Sequence, residues 1–295
     1  MNTKRKTRKL AIQGLEKRRL FCVNYIQGDG GNDRIIGSSG PDRIFARGGN
    51  DEVLARGGAD CVYGEQGNDR IFGEGGSDEL RGNEGRDEIF GGNGNDFLGG
   101  GPGNDRLEGG EGNDTINGGS GEDVIHGGRG ADVIEGGDDS DCLRSGFGVA
   151  GSSDRLSGGN GDDQLVAGSQ GSLGCDVNNT EPTPGFRGDV VAIGGAGADT
   201  FEPSFFMQSQ LRLFELQDFT QGEDKINLRT YPSITCLQEV HVLVVPGMPN
   251  AFQLPDNTIV VLPSNVQVAS LTSSDFTAQY SDCPMPEIDV ALESG

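Results

Sequence analysis

An all-β solenoid is the fold class that the sequence predicts, on three observations. Thirteen nine-residue units follow one another from Gly28 to Arg144 without an insertion. Every unit carries Asp at its sixth position and Ile, Val or Leu at its eighth. The chain is also poor in apolar residues, at 33% with no Trp, yet holds 52 Gly, and 34 of those glycines fall within residues 28 to 144. A short fixed period builds one supersecondary unit after another, and such units bury their apolar positions only by stacking on neighbours. Without the repeat, this composition is too apolar-poor for a conventional single core and would read as disorder.

The chemistry of a unit follows from its letters. In GGNGNDFLG, residues 91 to 99, position 1 is Gly, as in eleven of the thirteen units, and position 4 is Gly, as in all but the unit with Asp139. Glycines at positions 1 and 4 are expected to take the positive φ of a tight turn and to bare their carbonyls. Position 6 adds a carboxylate. Positions 7 to 9 form a short strand whose middle side chain faces inward, because side chains alternate along a strand. Carbonyl plus carboxylate is a hard-oxygen donor set in a flexible loop. Calcium prefers such a set, whereas magnesium demands a stricter octahedron and zinc takes nitrogen or sulfur.

The pattern G-G-x-G-x-D-x-U-x resembles the nonapeptide of the RTX (repeats-in-toxin, hemolysin-type) family of calcium-binding proteins. The resemblance implies a parallel β-roll, a right-handed β-helix solenoid in which two nonads make one coil. Strands then fall alternately on two sheets, and several Ca2+ ions sit between the turns of units n and n+2. It further implies the ligand carboxylates Asp33, Asp42, Asp51, Asp60, Asp69, Asp78, Asp87, Asp96, Asp105, Asp114, Asp123, Asp132 and Asp141. Backbone ligands are expected from Gly91, Asn93, Gly94, Gly100, Gly103, Gly109, Gly112, Gly118, Gly121, Gly127 and Gly130. The weakest sites are expected early, where Asp29, Ser38, Arg47, Arg56, Glu65, Glu74 and Asn83 replace the second glycine and Ala46 and Ala55 replace the first.

Charge separates the chain into an arm and a body. The net charge is -23, whereas residues 1 to 27 hold eight basic residues and only Glu16 among acids. Rows of carboxylates stacked at the strand spacing repel one another, so calcium binding and folding are expected to be one event. The opposing reading is a roll that folds unaided with solvated Asp turns. The basic arm reads as a helical or flexible extension lying on the acidic roll. A nucleic-acid or membrane-surface contact is the sharper alternative, but no aromatic interleaving supports it. The apolar run between Lys9 and Glu16 is too short for a secretory signal, no small-residue cleavage site follows, and no transmembrane span occurs.

Stepping eighteen residues at a time exposes two outward ladders on the odd-numbered units. Position 7 reads Arg34, Glu52, Arg70, Glu88, Arg106, and position 9 reads Ile36, Leu54, Phe72, Phe90. The charges keep strands in register and contribute little each. An exposed apolar stripe normally has a cover, and an amphipathic helix carrying Leu10, Ile12, Leu15 and Leu20 is expected to supply it.

After Arg144 the period slips by four residues and resumes as VAGSSDRLS and GGNGDDQLV, with Asp154 and Asp163. It is then interrupted by a polar insertion over residues 167 to 187 and returns once as GGAGADTFE with Asp199. These three aspartates join the expected ligands. The segment FELQDFTQGEDKINL, residues 214 to 228, resembles the closing segment of RTX domains such as those of serralysin-type proteases. The stretch from Thr258 to Phe276 resembles the final strands of the same cap. Val240 to Val245 and Thr258 to Leu262 are strand candidates, and a cap would shield the open coil end. Asp218 and Asp224 are expected either to ligate a terminal calcium or to serve in salt bridging or capping.

Six cysteines allow fifteen pairings. The bracketing of the slip, the late cap and the arm suggests Cys142 with Cys175, Cys236 with Cys283, and Cys22 with Cys61, against the alternative of free buried thiols. Disulfides suit an oxidising exterior with millimolar calcium. The expected localisation is secreted or extracellular, without a cleaved N-terminal signal, since the family's export signal is C-terminal. With only His126 and His241, H-E-x-x-H cannot form, and no G-x-S-x-G is present. The expected organisation is a basic arm over residues 1 to 27, the roll over 28 to 202, and a capping and secretion region over 203 to 295. The expected function is calcium binding by a non-enzymatic structural or adhesion module, with a cell-surface polysaccharide or a separate secreted enzyme as partner. The alternative is an accessory calcium-binding module of a secreted polysaccharide-modifying or hydrolytic enzyme system.

Overall fold

The computed structural model describes residues 24–147, 153–168, 189–203, 212–220, 222–227, 243–244, 250–253, 258–266, 271 and 275–277. The chain divides into two compact units, Met1–Val133 and Ile134–Gly295. Among the described residues the fold is all-β, a parallel β-solenoid. The expected arm helix, the insertion beyond Gly168, Cys22, Cys175, Cys236, Cys283 and His241 lie outside the described residues.

In the first unit the strands alternate between two parallel sheets. One holds β1 (Asn24–Gln27), β3 (Asp42–Gly48), β5 (Cys61–Gln66), β7 (Glu79–Glu84), β9 (Phe97–Pro102) and β11 (Thr115–Ser120). The other holds β2 (Arg34–Ile36), β4 (Glu52–Leu54), β6 (Arg70–Gly75), β8 (Glu88–Asn93), β10 (Arg106–Glu111) and β12 (Val124–Arg129). Neighbours in a sheet stand eighteen residues apart, as in Leu107 opposite Ile89 and Ile116 opposite Leu98, so two nonads make each coil.

Most strands are longer than the three residues expected. They run through positions 7, 8 and 9 and on into positions 1 to 3 of the next unit, as Glu88–Asn93 does. The pairing register passes from Glu108 opposite Phe90 to Gly110 opposite Gly92 and skips position 1. Alternation along this path turns positions 6, 8 and 1 inward. The interior is therefore one row of aliphatic side chains, Ile44 through Ile125, lying between a row of aspartates and a row of glycines or alanines.

The second unit continues the same logic with irregular spacing. One sheet orders β13 (Val133–Asp138), β15 (Ser153–Asn160), β17 (Asp189–Ala196), β19 (Arg212–Leu216), β23 (Thr258–Val261), β22 (Ala251–Gln253) and β21 (Leu243–Val244). The other orders β14 (Cys142–Phe147), β16 (Gln164–Ala167), β18 (Thr200–Pro203), β20 (Lys225–Asn227) and β24 (Phe276–Thr277). Strand β23 adds parallel to β19, but β22 and β21 follow antiparallel, which ends the coiling on that side. Two of these strands, Leu243–Val244 and Thr258–Val261, fall within the expected strand candidates.

Candidate metal centre

The site begins with the turn. Positive φ falls at position 4, from Gly49 at 103° to Gly130 at 144°, and at position 2, as in Gly92 at 104° and Gly101 at 112°. The expectation for position 4 holds, whereas position 1 is glycine for a different reason, namely space. A Cβ added at Gly91 would lie 2.5 Å from the Gly109 carbonyl oxygen and 2.6 Å from Asp96 Oδ2. At Gly73 the corresponding atoms are the Gly91 carbonyl and Asp78 Oδ2, both at 2.5 Å. The same pair of oxygens crowds Gly64, Gly100 and Gly109. Each of these five glycines thus leaves open a cradle faced by one carboxylate oxygen and one carbonyl oxygen.

The aspartates are tied together through their other oxygen. Asp69 N–H donates to Asp87 Oδ1 at 2.7 Å, Asp78 N–H to Asp96 Oδ1 at 2.8 Å and Asp87 N–H to Asp105 Oδ1 at 2.7 Å. The row begins with Asp33 N–H on Asp51 Oδ1 at 2.7 Å, and Asp114 N–H donates to Asp132 Oδ1 at 2.9 Å. In the second unit Asp141 N–H reaches Asp163 Oδ1 at 2.8 Å, Asp163 N–H reaches Asp199 Oδ1 at 3.0 Å, and Asp199 N–H reaches Asp224 Oδ1 at 3.0 Å. Asp154 is buried as well. The second oxygen behaves differently. In Asp51, Asp60, Asp69, Asp78, Asp87, Asp96, Asp105, Asp114 and Asp163, Oδ2 is buried and accepts no hydrogen bond from the described residues. Leaving a buried polar atom unsatisfied costs about 1 to 3 kcal/mol, and more when it is charged. A row of such atoms facing carbonyls is an oxygen lining that a hard cation fits.

Electrostatics gives the same answer. Burial pushes Asp78, Asp87, Asp114 and Asp163 up to about 7, against the relief of the backbone N–H each accepts, and neighbouring carboxylates of the row raise them further. Burial likewise raises Asp51 to about 7 and Asp60, Asp69, Asp105 and Asp199 to about 6. Asp96 and Asp224 are raised in the same direction. Without a counter-charge these carboxyls hold their protons far above the usual carboxylate range.

The ends of the rows are built differently. Asp29 N–H donates to Asp33 Oδ2 at 2.8 Å and Ser38 N–H to Asp42 Oδ2 at 2.5 Å, so in these two units the turn itself satisfies the second oxygen. Arg47, Arg56, Glu65, Glu74 and Asn83 instead take positive φ, between 69° and 85°, as glycine does at position 2 of later units. Of the seven early substitutions, only Asp29 and Ser38 depart from that conformation. Ala46 and Ala55 are fully buried at position 1, where their methyl groups fill the cradle. At the far end Thr220 N–H donates to Asp224 Oδ2 at 2.7 Å, while Asp218 accepts Gly194 N–H and Gly195 N–H at 2.8 Å each. Asp218 and Asp224 therefore act as backbone caps.

Among the glycine and asparagine backbone candidates, Gly94, Gly103, Gly112, Gly121 and Gly130 take the left-handed turn conformation. Gly118 and Gly127 are buried at position 1, their carbonyl oxygens facing the cradles of Gly100 and Gly109. Asn93 is exposed, and its carbonyl accepts Gly76 N–H at 2.8 Å.

A second ladder escaped the sequence reading. Asn50 N–H donates to Asn32 Oδ1 at 2.9 Å, Asn68 N–H to Asn50 Oδ1 at 3.0 Å, and Asn113 N–H to Asn95 Oδ1 at 2.9 Å. Its signal was the recurrence of Asn at position 5. Among the described residues no three His, Cys, Asp or Glu side chains converge, so a bound ion must draw on backbone oxygens.

The outward faces carry the expected ladders and one more. Arg34 pairs with Glu52 at 3.1 Å and Arg70 with Glu88 at 2.8 Å, and the Phe72 and Phe90 rings stack at 5.0 Å. On the opposite sheet Tyr25, Phe45 and Tyr63 form a further aromatic row, with centroids 5.4 and 5.0 Å apart, and Arg43 lies over Phe45 and Tyr63. His126 is half-buried at position 9, beside Glu108 on the neighbouring strand. Cys61 and Cys142 are both disulfide-bonded, which overturns the free-thiol alternative for these two. Among the described residues no helix is long and apolar enough to cross a membrane.

Residues 27–62, 63–98, 99–134, 118–149 and 151–171 match the family of the RTX calcium-binding nonapeptide repeat (4 copies). No curated protein matches the chain. RTX nonapeptide repeats bind multiple Ca2+ ions, and the buried aspartate ladder is consistent with that.

Proposed function

We propose, on the premise that the chain belongs between residues 27 and 171 to the RTX calcium-binding nonapeptide repeat family, that it is a secreted, non-enzymatic structural or adhesion module that folds on binding calcium. One observation carries the reading, the row of buried Oδ2 oxygens from Asp51 to Asp114 that accept no hydrogen bond from the described residues, several of them facing position-1 carbonyls. In the proposed sites Asp51 through Asp141, together with Asp154, Asp163 and Asp199, supply carboxylate oxygen, and Gly91, Gly100, Gly109, Gly118 and Gly127 supply carbonyl oxygen. When bound, calcium supplies the positive charge that lets these carboxyls lose their protons inside the roll.

The chain's own residues hold the site ready. From Asp51 to Asp132 each Oδ1 is fixed by an amide eighteen residues upstream, and in Asp163 and Asp199 by the amides of Asp141 and Asp163, so these carboxylates arrive with one oxygen oriented and one to spare. Asp33 and Asp42, whose second oxygens are taken by Asp29 and Ser38 N–H, are the weakest candidates, and at Ala46 and Ala55 a buried methyl group stands where later units have glycine. The disulfides at Cys61 and Cys142 favour an oxidising exterior, where calcium is abundant. Titration of the purified chain with calcium, followed by circular dichroism and calorimetry, tests the reading. Strand signal should rise cooperatively with calcium and stay flat with equal magnesium. A full strand signal in excess EGTA at pH 7.5 would overturn it.

A further inference from the structure

Cys61 opens strand β5 at an outward position of the sheet that carries the Tyr25, Phe45 and Tyr63 row. It is disulfide-bonded, and the only other cysteine among the described residues, Cys142, belongs to the second unit. The first unit, Met1–Val133, contains two cysteines, Cys22 and Cys61, and the second contains the other four. A bond closed inside the first unit joins Cys22 to Cys61. The register allows it. Tyr25 stands opposite Arg43, and Arg43 stands opposite Cys61, so Cys61 lies two strands from Tyr25. Two strand spacings are roughly 9.6 Å. Three residues separate Tyr25 from Cys22, with a reach of roughly 10 Å, and a disulfide bridges Cα atoms about 5.5 Å apart.

We propose that residues 1–23 are the cover of this aromatic face, drawn across it by a Cys22–Cys61 disulfide and seated over Phe45 and Tyr63. The segment has the right chemistry at both ends. Leu10, Ile12, Leu15 and Leu20 offer apolar side chains to the rings beside the Arg43 guanidinium, and eight basic residues against one Glu complement the net negative charge of the rest of the chain, not a charge at this face. This places the arm on the sheet of Cys61, not on the Ile36 to Phe90 ladder for which the sequence pattern suggested it. The bond forms by exchange with an oxidised dithiol donor. The two thiols of Cys22 and Cys61 lose two protons and two electrons, and the donor's disulfide is reduced to two thiols.

Non-reducing peptide mapping of the full calcium-loaded chain tests the assignment directly. A peptide containing Cys22 linked to one containing Cys61 is expected. Linkage of Cys61 to Cys175, Cys236 or Cys283 overturns the proposal. So does a mixed-isotope linked peptide from a co-expressed light and heavy pair of chains, which would make a second copy the occupant. The cover is read separately from trypsin cleavage at Lys17, Arg18 and Arg19. Cleavage should be at least tenfold slower in the oxidised chain than in the double variant Cys22→Ser, Cys61→Ser, with calcium-loaded circular dichroism as the check on folding. Equal rates in a folded double variant overturn the seating of the arm. If that variant fails to fold, mild reduction of the wild-type chain supplies the comparison, with the same two outcomes.

Discussion

Gly91 and Asp96 show how two residues divide one task. The aspartate brings an oxygen with nothing to accept, and the glycine leaves the room for what it needs. Gly91→Ala should therefore fill the cradle as Ala46 and Ala55 already do, at about 1 to 3 kcal/mol from overpacking in saturating calcium. Urea unfolding with and without calcium checks it, and Ala46→Gly should lower the calcium midpoint. Asp87→Asn keeps an oxygen to accept the Asp69 amide at Oδ1 but removes the charge. Calorimetry should count at least one ion fewer, whereas a merely structural Asp87 would leave the count unchanged. The conformational role of glycine at position 4 was legible in the sequence, but its role at position 1 was not. Composition shows that a residue lacks a side chain, yet only the coil shows what occupies the space.

At the scale of the strand, the apolar eighth position carries the fold. Ile71, Leu80, Ile89 and Leu98 are all fully buried, and a fixed period announces such a row without ambiguity. Ile89→Ala should cost about 2 to 5 kcal/mol in calcium-saturated denaturation, because its neighbours in the row cannot collapse into the gap. Breaking the half-exposed Arg70 and Glu88 pair with Arg70→Ala should cost no more than about 1 kcal/mol and lose that effect in high salt. Strand length was harder to read. Glycines at positions 1 and 2 have poor strand propensity, yet they extend each strand because the preceding coil supplies a template. The segment FTQGEDKIN, residues 219 to 227, is a tenth-hour nonad of the same kind. Gly222, Asp224 and Ile226 stand at positions 4, 6 and 8, but buried Phe219 stands where most units have glycine, its ring centroid 6.1 Å from that of Phe201. A filled position 1 hides the repeat from the eye and closes the cradle at once.

For the whole molecule, the raised carboxyls set a dependence on pH. Their folded-state values, about 6 to 7 without metal, exceed the ordinary value of 3.8. A group raised on folding contributes stability below its unfolded value and loses it as pH climbs through the folded one. The metal-free chain should therefore gain strand signal when taken from pH 7.5 to about pH 4, and the calcium midpoint should rise as protons compete below about pH 7. Circular dichroism at stepped pH in EGTA and in calcium checks both. A coil of two nonads has one further consequence, which is arithmetical. Removing residues 91 to 108 subtracts an even number of units and returns every later strand of the first unit to its own sheet. Removing residues 91 to 99 alone subtracts an odd number, which would set Arg106 opposite Glu79 in place of Phe97 and Asn117 opposite Phe90 in place of Glu108. Such a chain tolerates growth and loss only in pairs, so its length is counted by parity before it is counted in residues.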